Sequence, residues 1–126
     1  MRMTGFLRGY IDKWLVPRVT GIQLVGLKKN FAIRPILDTG FNGEFCLPRK
    51  YIDKCKLLSW GTDKFELADG RVVEEDIYLG EIIIDKIHYP VEMAITGSKD
   101  ALLGMKLLVG KIVTVNLQQN RVSVDA

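Results

Sequence analysis

One histidine, His88, and two cysteines, Cys46 and Cys55, are the only imidazole and thiol side chains in these 126 residues. Three such side chains without a CxxC pair cannot build a four-ligand zinc site, so neither a metal nor a cofactor is expected. The cysteines stand nine positions apart, and in a reducing compartment they read as small core hydrophobes rather than a disulfide. Long hydrophobic runs are missing too. No stretch approaches the roughly 20 residues of a membrane span, and Trp14-Leu15-Val16 is too short for the h-region of a secretory signal. No membrane partner and a cytoplasmic location are therefore expected. Charge of one sign is also lacking: 18 basic and 15 acidic residues leave +3, dispersed in short clusters such as Lys28-Lys29 and Arg49-Lys50. Nucleic-acid binders concentrate their charge on one stripe, so no nucleic-acid partner is expected. Trp14 and Trp60 lack the paired pattern of a base-stacking platform and read as packing or subunit-contact residues.

What is present is period two. Ile87, Tyr89, Val91, Met93 and Ile95 alternate with His88, Pro90, Glu92 and Ala94, and Val113, Val115 and Leu117 alternate with Thr114 and Asn116 before Val122 and Val124 resume the pattern. Alternation places one set of side chains on the core face of a strand. Asp85-Lys86 and Gln118 to Asn120 are hairpin turns. Phe6 to Ile11, Trp14 to Val25 and Phe31 to Leu37 read as three further strands, with Pro17, Pro35 and Pro90 at edges or irregular points. Pro48 opens a short helix over Arg49 to Lys56 with Tyr51, Ile52 and Cys55 on one face. A second helix is expected over Leu102 to Val109, interrupted by Gly104. Residues 1–126 make one domain, and its expected architecture is a closed, mostly antiparallel sheet.

One stretch departs from this generic picture. In "FAIRPILDTGFNGEFCLP", Phe31 to Pro48, an apolar strand delivers Asp38, Thr39 and Gly40 in succession. A strand-ending turn accounts for the tripeptide alone, since Asp and Thr bond nearby backbone and Gly takes positive φ. Its setting adds more: the Asp38 carboxylate emerges where a core strand meets a loop, and Gly40 lets another backbone come close.

Here the chain resembles the retropepsin-like aspartic proteases, in particular their small single-domain prokaryotic branch of the DTGFNG type. The resemblance runs from about Val16 to Val124 and rests on "ILDTGFNG" (Ile36 to Gly43), "LADGRVVEEDIYLGEI" (Leu67 to Ile82) and "ALLGMKLL" (Ala101 to Leu108), in that order. It implies an all-β, retropepsin-like closed β-barrel with one or two short helices, one lobe per chain. Asp38 is then the catalytic carboxylate. Thr39 bonds across the molecular centre to the opposite loop, and Gly40 offers backbone groups to the substrate. Leu67 to Ile82 forms a flap with Ala68-Asp69-Gly70 near its tip, a good tight-turn sequence, although a plain surface hairpin fits it as well. Leu102-Leu103-Gly104 is the element whose glycine passes beside the Asp38 loop while the leucines pack beneath; a simple helix break also explains Gly104. Phe41 stands where a serine in this family can hydrogen-bond the carboxylate, so activity is expected to extend towards neutral pH.

The chemistry needs two carboxylates sharing one proton and one water, and this chain carries one DTG. Asp53, Asp69, Asp76, Asp85 and Asp100 lack its setting. The partner is expected to be Asp38 of a second copy, since a two-fold contact doubles any single motif. Met1 to Lys13 and the Asn120 to Ala126 tail are candidates for that homodimer contact. The substrate is then an extended peptide or unfolded protein held by main-chain bonds beneath two flaps. Two alternatives are a non-catalytic dimeric interaction module of the same fold and a phosphate-binding loop. The second belongs on a parallel α/β sheet, and the long alternating helices it needs are missing. His88 reads as an ordinary surface histidine, and Glu74-Glu75-Asp76 as a solvated flap strand.

Overall fold

Short polar turns and prolines cut the apolar stretches into pieces. The structure, a computed structural model, describes residues 7–126; residues 1–6, part of the segment proposed for subunit contact, lie outside the described residues. Strand β1 (Leu7–Ile11) turns into β2 (Pro17–Val19) through a loop held by the Asp12 carboxylate, which accepts the backbone N–H groups of Trp14 at 2.9 Å and Val16 at 3.1 Å. This local hydrogen bonding outweighs the apolar character of Trp14-Leu15-Val16, so the strand expected from Trp14 does not begin there. Trp14 and Leu15 are exposed, and Leu15 takes φ 63°. The expected strand divides again at Gly21, φ 79°, giving β3 (Ile22–Leu24). Phe31 to Leu37 likewise splits at Arg34-Pro35 into β4 (Phe31–Ile33) and β5 (Ile36–Leu37), which pair with different neighbours.

β6 (Phe45–Pro48) leads into helix α1 (Arg49–Lys54), with Pro48 at its N-cap and Ile52 and Cys55 buried as the spacing requires. β7 (Ser59–Glu66) and β8 (Val72–Ile84) form a long hairpin. β8 turns into β9 (Ile87–Thr96) through Asp85-Lys86, both at positive φ (50° and 67°), as a two-residue hairpin loop demands. Pro90 lies in β9 ahead of Met93, where pairing with β6 begins, so its missing N–H costs no bond on that side. β10 (Leu102–Leu103), a 3-10 turn (Met105–Leu108), β11 (Ile112–Asn116) and β12 (Arg121–Asp125) complete the chain. The helix expected over Leu102 to Val109 is thus a two-residue strand followed by a tight turn. A two-residue strand has no periodicity to betray it, and Leu102 and Leu103 are held by pairing on both sides.

All twelve strands belong to one sheet in the order β11-β12-β1-β2-β5-β10-β6-β9-β8-β3-β4, with β7 beside β8. Pairing is antiparallel except between β5 and β10 and between β6 and β9. Val122 and Val124 near one end and Ile33 at the other belong to the same buried cluster, so the sheet bends around one core. Its ends, β11 and β4, do not join among the described residues, and the closed barrel expected from sequence is an open-ended sheet. Arg18 braces the base of the later site: its guanidinium donates to Asp12 at 3.1 Å and Asp100 at 2.9 Å, while β2 pairs with β5 at Ile36. His88 is exposed, with Nδ1 2.6 Å from Glu81 Oε2, as an ordinary surface histidine. Trp60, like Trp14, is exposed rather than packed within the chain. Among the described residues, no helix is long and apolar enough to cross a membrane.

Candidate active site

Asp38 follows directly from the parallel pairing of β5 with β10. Its N–H continues that ladder, donating to the Leu103 carbonyl at 3.0 Å, and the chain then turns sharply as Phe41 N–H donates to the Asp38 carbonyl at 3.2 Å. Within this turn the Asp38 carboxylate accepts the Gly40 N–H at 2.9 Å through Oδ1. A Cβ at Gly40 would stand 3.2 Å from that oxygen, so the missing side chain permits the close approach. Asp38 is half-buried, while Thr39 and Gly40 are exposed. The turn presents a carboxylate oriented by its own backbone at the edge of the core.

A second segment clamps the loop from behind. Gly104 N–H donates to the Glu44 carbonyl at 2.9 Å, Met105 N–H to Phe41 at 2.8 Å and Lys106 N–H to Gly43 at 3.1 Å. The approach is so close that a Cβ on Gly104 would fall 2.2 Å from the Gly43 oxygen and 2.9 Å from the Phe41 oxygen. Contact with the Asp38 loop, and not only helix breaking, therefore accounts for this glycine. Leu103 packs fully buried beneath it, whereas Leu102 faces the other way and joins Cys46, Ile77, Ala94, Phe41 and Phe65 in a small separate apolar cluster.

The β7–β8 hairpin stands over this cluster. Its register pairs Phe65 with Val73, Asp63 with Glu75 and Gly61 with Ile77, so these residues share one face, on which Ile77 is buried and Phe65 and Val73 half-buried. At the tip Gly70 takes φ 87°, Gly70 N–H donates to the Leu67 carbonyl at 2.9 Å, and Leu67 N–H donates to Arg71 at 2.7 Å. This is the three-residue loop with a left-handed glycine common in hairpins. Asp69 fastens it: its carboxylate accepts Arg71 N–H at 3.0 Å and Arg71 Nε at 2.7 Å, bonds that hold its pKa below the ordinary value. The hairpin begins at Ser59, earlier than the Leu67 boundary read from sequence.

Between hairpin and floor lies a cleft of about 460 Å³. Of the residues expected from sequence, Asp38, Gly40, Ala68 and Leu102 line it, while Thr39, Asp69, Gly70, Leu103 and Gly104 do not. Glu75 lines it as well, and the run Glu74-Glu75-Asp76 is exposed. Among the described residues no cluster of His, Cys, Asp or Glu is placed to hold a metal.

Three participants escaped the sequence reading. Glu44 is the one buried charged residue among those described, and its Oε1 accepts the Glu92 N–H at 2.7 Å, tying the Asp38 loop to β9. A glutamate after a glycine carries no sequence mark of burial. Phe65 meets Phe41 ring to ring, at 5.8 Å between centroids; its symmetric placement with Val73 about the turn was the available signal. Cys46 lines the cleft, and its thiol is pushed up to about 12, by burial first and then by the charges of Asp38 and Glu75. Both cysteines are free and buried.

No family model matches this chain, and no curated protein matches its sequence. Its fold is similar to the crystal structure of a retropepsin-like aspartic protease from Rickettsia conorii, with a TM-score of 0.64 over 96% of this chain and 90% of that one, at 15% identity.

Proposed function

We propose that the chain is an aspartic endopeptidase of the retropepsin-like family, in its DTGFNG-type branch, acting in the cytoplasm as a homodimer. One observation carries the reading: a half-buried Asp38, oriented by Gly40 N–H, borders a cleft roofed by a hairpin, within a fold like that of a known aspartic protease. The other carboxylates lining this cleft, Glu66 and Glu75, belong to the roof. A second acid in the setting of Asp38 comes from a two-fold copy. The exposed Ile112, Val115 and Leu117 around the end strand β11 support self-association, and the open sheet edges serve pairing between copies in place of barrel closure within one chain.

In such a pair the two Asp38 carboxylates hold one proton between them. The ionised member takes a proton from the attacking water, the protonated member donates to the peptide carbonyl oxygen, and a proton then reaches the leaving nitrogen. Thr39, exposed beside Asp38, is free to bond the opposite loop and fix both acids. Extended peptide lies between floor and hairpin, with Gly40 offering backbone and Ala68 and Leu102 apolar contact. The test compares wild type with Asp38→Asn on an unfolded protein substrate over about pH 3 to 8. Cleavage by wild type alone is expected. Equal cleavage by both sinks the reading, and cleavage by neither favours the non-catalytic dimeric module.

A further inference from the structure

The Phe41 ring is seated on two glycines. A Cβ at Gly43 would fall 2.5 Å from its Cζ, and one at Gly104 would fall 2.5 Å from its Cδ2. Gly43 and Gly104, far apart in sequence, thus make a common socket for one ring. Phe65, on the hairpin, packs against the same ring with the planes at 43°. The pair joins the Asp38 loop to the roof of the cleft.

Two spaces meet at this pair. One is the Asp38 cleft, whose apolar lining includes Val73, Ile95 and Leu102. The other, about 250 Å³, adjoins it and is lined in part by Glu44, Asp63, Lys64, Ile77, Glu92 and Lys106. Phe41, Asn42, Phe65 and Ala94 border both, and of these Phe41 and Phe65 carry the bulky side chains. The surface of one is mainly apolar and that of the other mainly polar, with five charged side chains, and two aromatic rings form the bulk of the border between them.

We propose that Phe41 and Phe65 form a partition that sizes the substrate side chain seated beside Asp38, admitting small and medium apolar residues and excluding those long enough to need the adjoining charged space. The proposal rests on the endopeptidase reading and adds its substrate class. Phe41 is fixed by its socket, so the partition is set from the floor and completed by the roof. Removing the Phe65 ring joins the two spaces, whose lining of three carboxylates and two ammonium groups then suits the head of an arginine.

Cleavage-site profiling of a denatured protein mixture, read by mass spectrometry, tests this with wild type, Phe65→Ala, Phe65→Trp, Phe41→Leu and Asp38→Asn. Phe65 lies on the hairpin outside the main buried cluster, so its variants keep the core, as thermal melts will verify. At one subsite, Phe65→Ala is expected to raise cleavage beside arginine or tryptophan about tenfold relative to valine or alanine. Phe41→Leu widens the same subsite and Phe65→Trp narrows it. Active variants that share the wild-type profile overturn the partition while leaving the endopeptidase intact. So does a folded Phe65→Ala that has lost all cleavage, since the ring would then support the roof rather than size the substrate. Wild type that cuts no more than Asp38→Asn defeats the endopeptidase reading itself, and the partition with it.

Discussion

Replacing Gly104 with alanine pushes one carbon into the seam that holds the Asp38 loop. The new Cβ would sit 2.2 Å from the Gly43 oxygen and 2.5 Å from a Phe41 ring carbon, where an ordinary carbon–oxygen contact is about 3.3 Å. The two backbones must part by about 1 Å. Three hydrogen bonds cross this seam, from the N–H groups of Gly104, Met105 and Lys106, and each contributes about 0.5–1.5 kcal/mol. Overpacking by one carbon costs about 1–3 kcal/mol by itself. Partial stretching of the bonds together with the clash gives an expected loss of about 3 kcal/mol, or about 12 °C in Tm for a chain of this size. Gly97→Ala is the control, because a Cβ there meets nothing within 4 Å and its φ is not positive; its change should stay within about 0.5 kcal/mol. Urea titration and thermal melts of both variants measure the difference. Should Gly104→Ala melt like Gly97→Ala, the close passage of this segment against the Asp38 loop is wrong.

Three other outcomes follow from the same structure. Asp12 is opposed by burial, but hydrogen bonds from Val16 N–H, Arg18 and Trp14 N–H prevail and hold its pKa below the ordinary 3.8. Its contribution is therefore present above that pH and lost as pH falls below it; Asp12→Asn should flatten the acid side of a Tm-against-pH curve, and an unchanged curve contradicts the assignment. Cys46, with its thiol pushed up to about 12 by burial and then by Asp38 and Glu75, should react with iodoacetamide at pH near 8 at least about tenfold more slowly in the native protein than in urea, and equal rates refute this. Glu44→Ala leaves the Glu92 N–H without its acceptor and should cost about 1–3 kcal/mol in urea titrations, whereas Glu44→Gln, which keeps an acceptor oxygen, should cost less.

Local signals were legible wherever chemistry and turn type agreed. Asp85-Lys86 and the Asp69-Gly70 tip lie at the hairpin turns their residue types predict, and Val113 and Val115 pair across β11–β12 with Val124 and Val122. Tyr89, Val91 and Met93 are buried as their alternation requires, but Ile87 of the same series is exposed, as are Val115 and Leu117 of the later one, and Ala94 is buried because the hairpin covers the opposite face of β9 at that point. Misreadings arose where a single residue overrode an apolar run, as Asp12 does at Trp14-Leu15-Val16 and Pro35 does between β4 and β5. Whether the sheet closes depends on pairing between strands far apart in sequence, which no local pattern records. Within the site, Asp38 and its loop could be read from a compact motif. Glu44 and the socket that Gly43 and Gly104 make for Phe41 could not, because the first is tied down only once β6 lies beside β9 and the second forms only once β10 lies beside β6.

Whether one copy of Asp38 suffices is tested most directly by mixing. A fixed amount of wild type is combined with rising Asp38→Asn protein under exchange, and peptide cleavage per wild-type chain is recorded. A shared two-fold site predicts that this activity falls to about one half at an equal mixture and to about one tenth at ninefold excess of the variant. Activity that holds constant across the titration means that each chain acts alone, and contradicts the account.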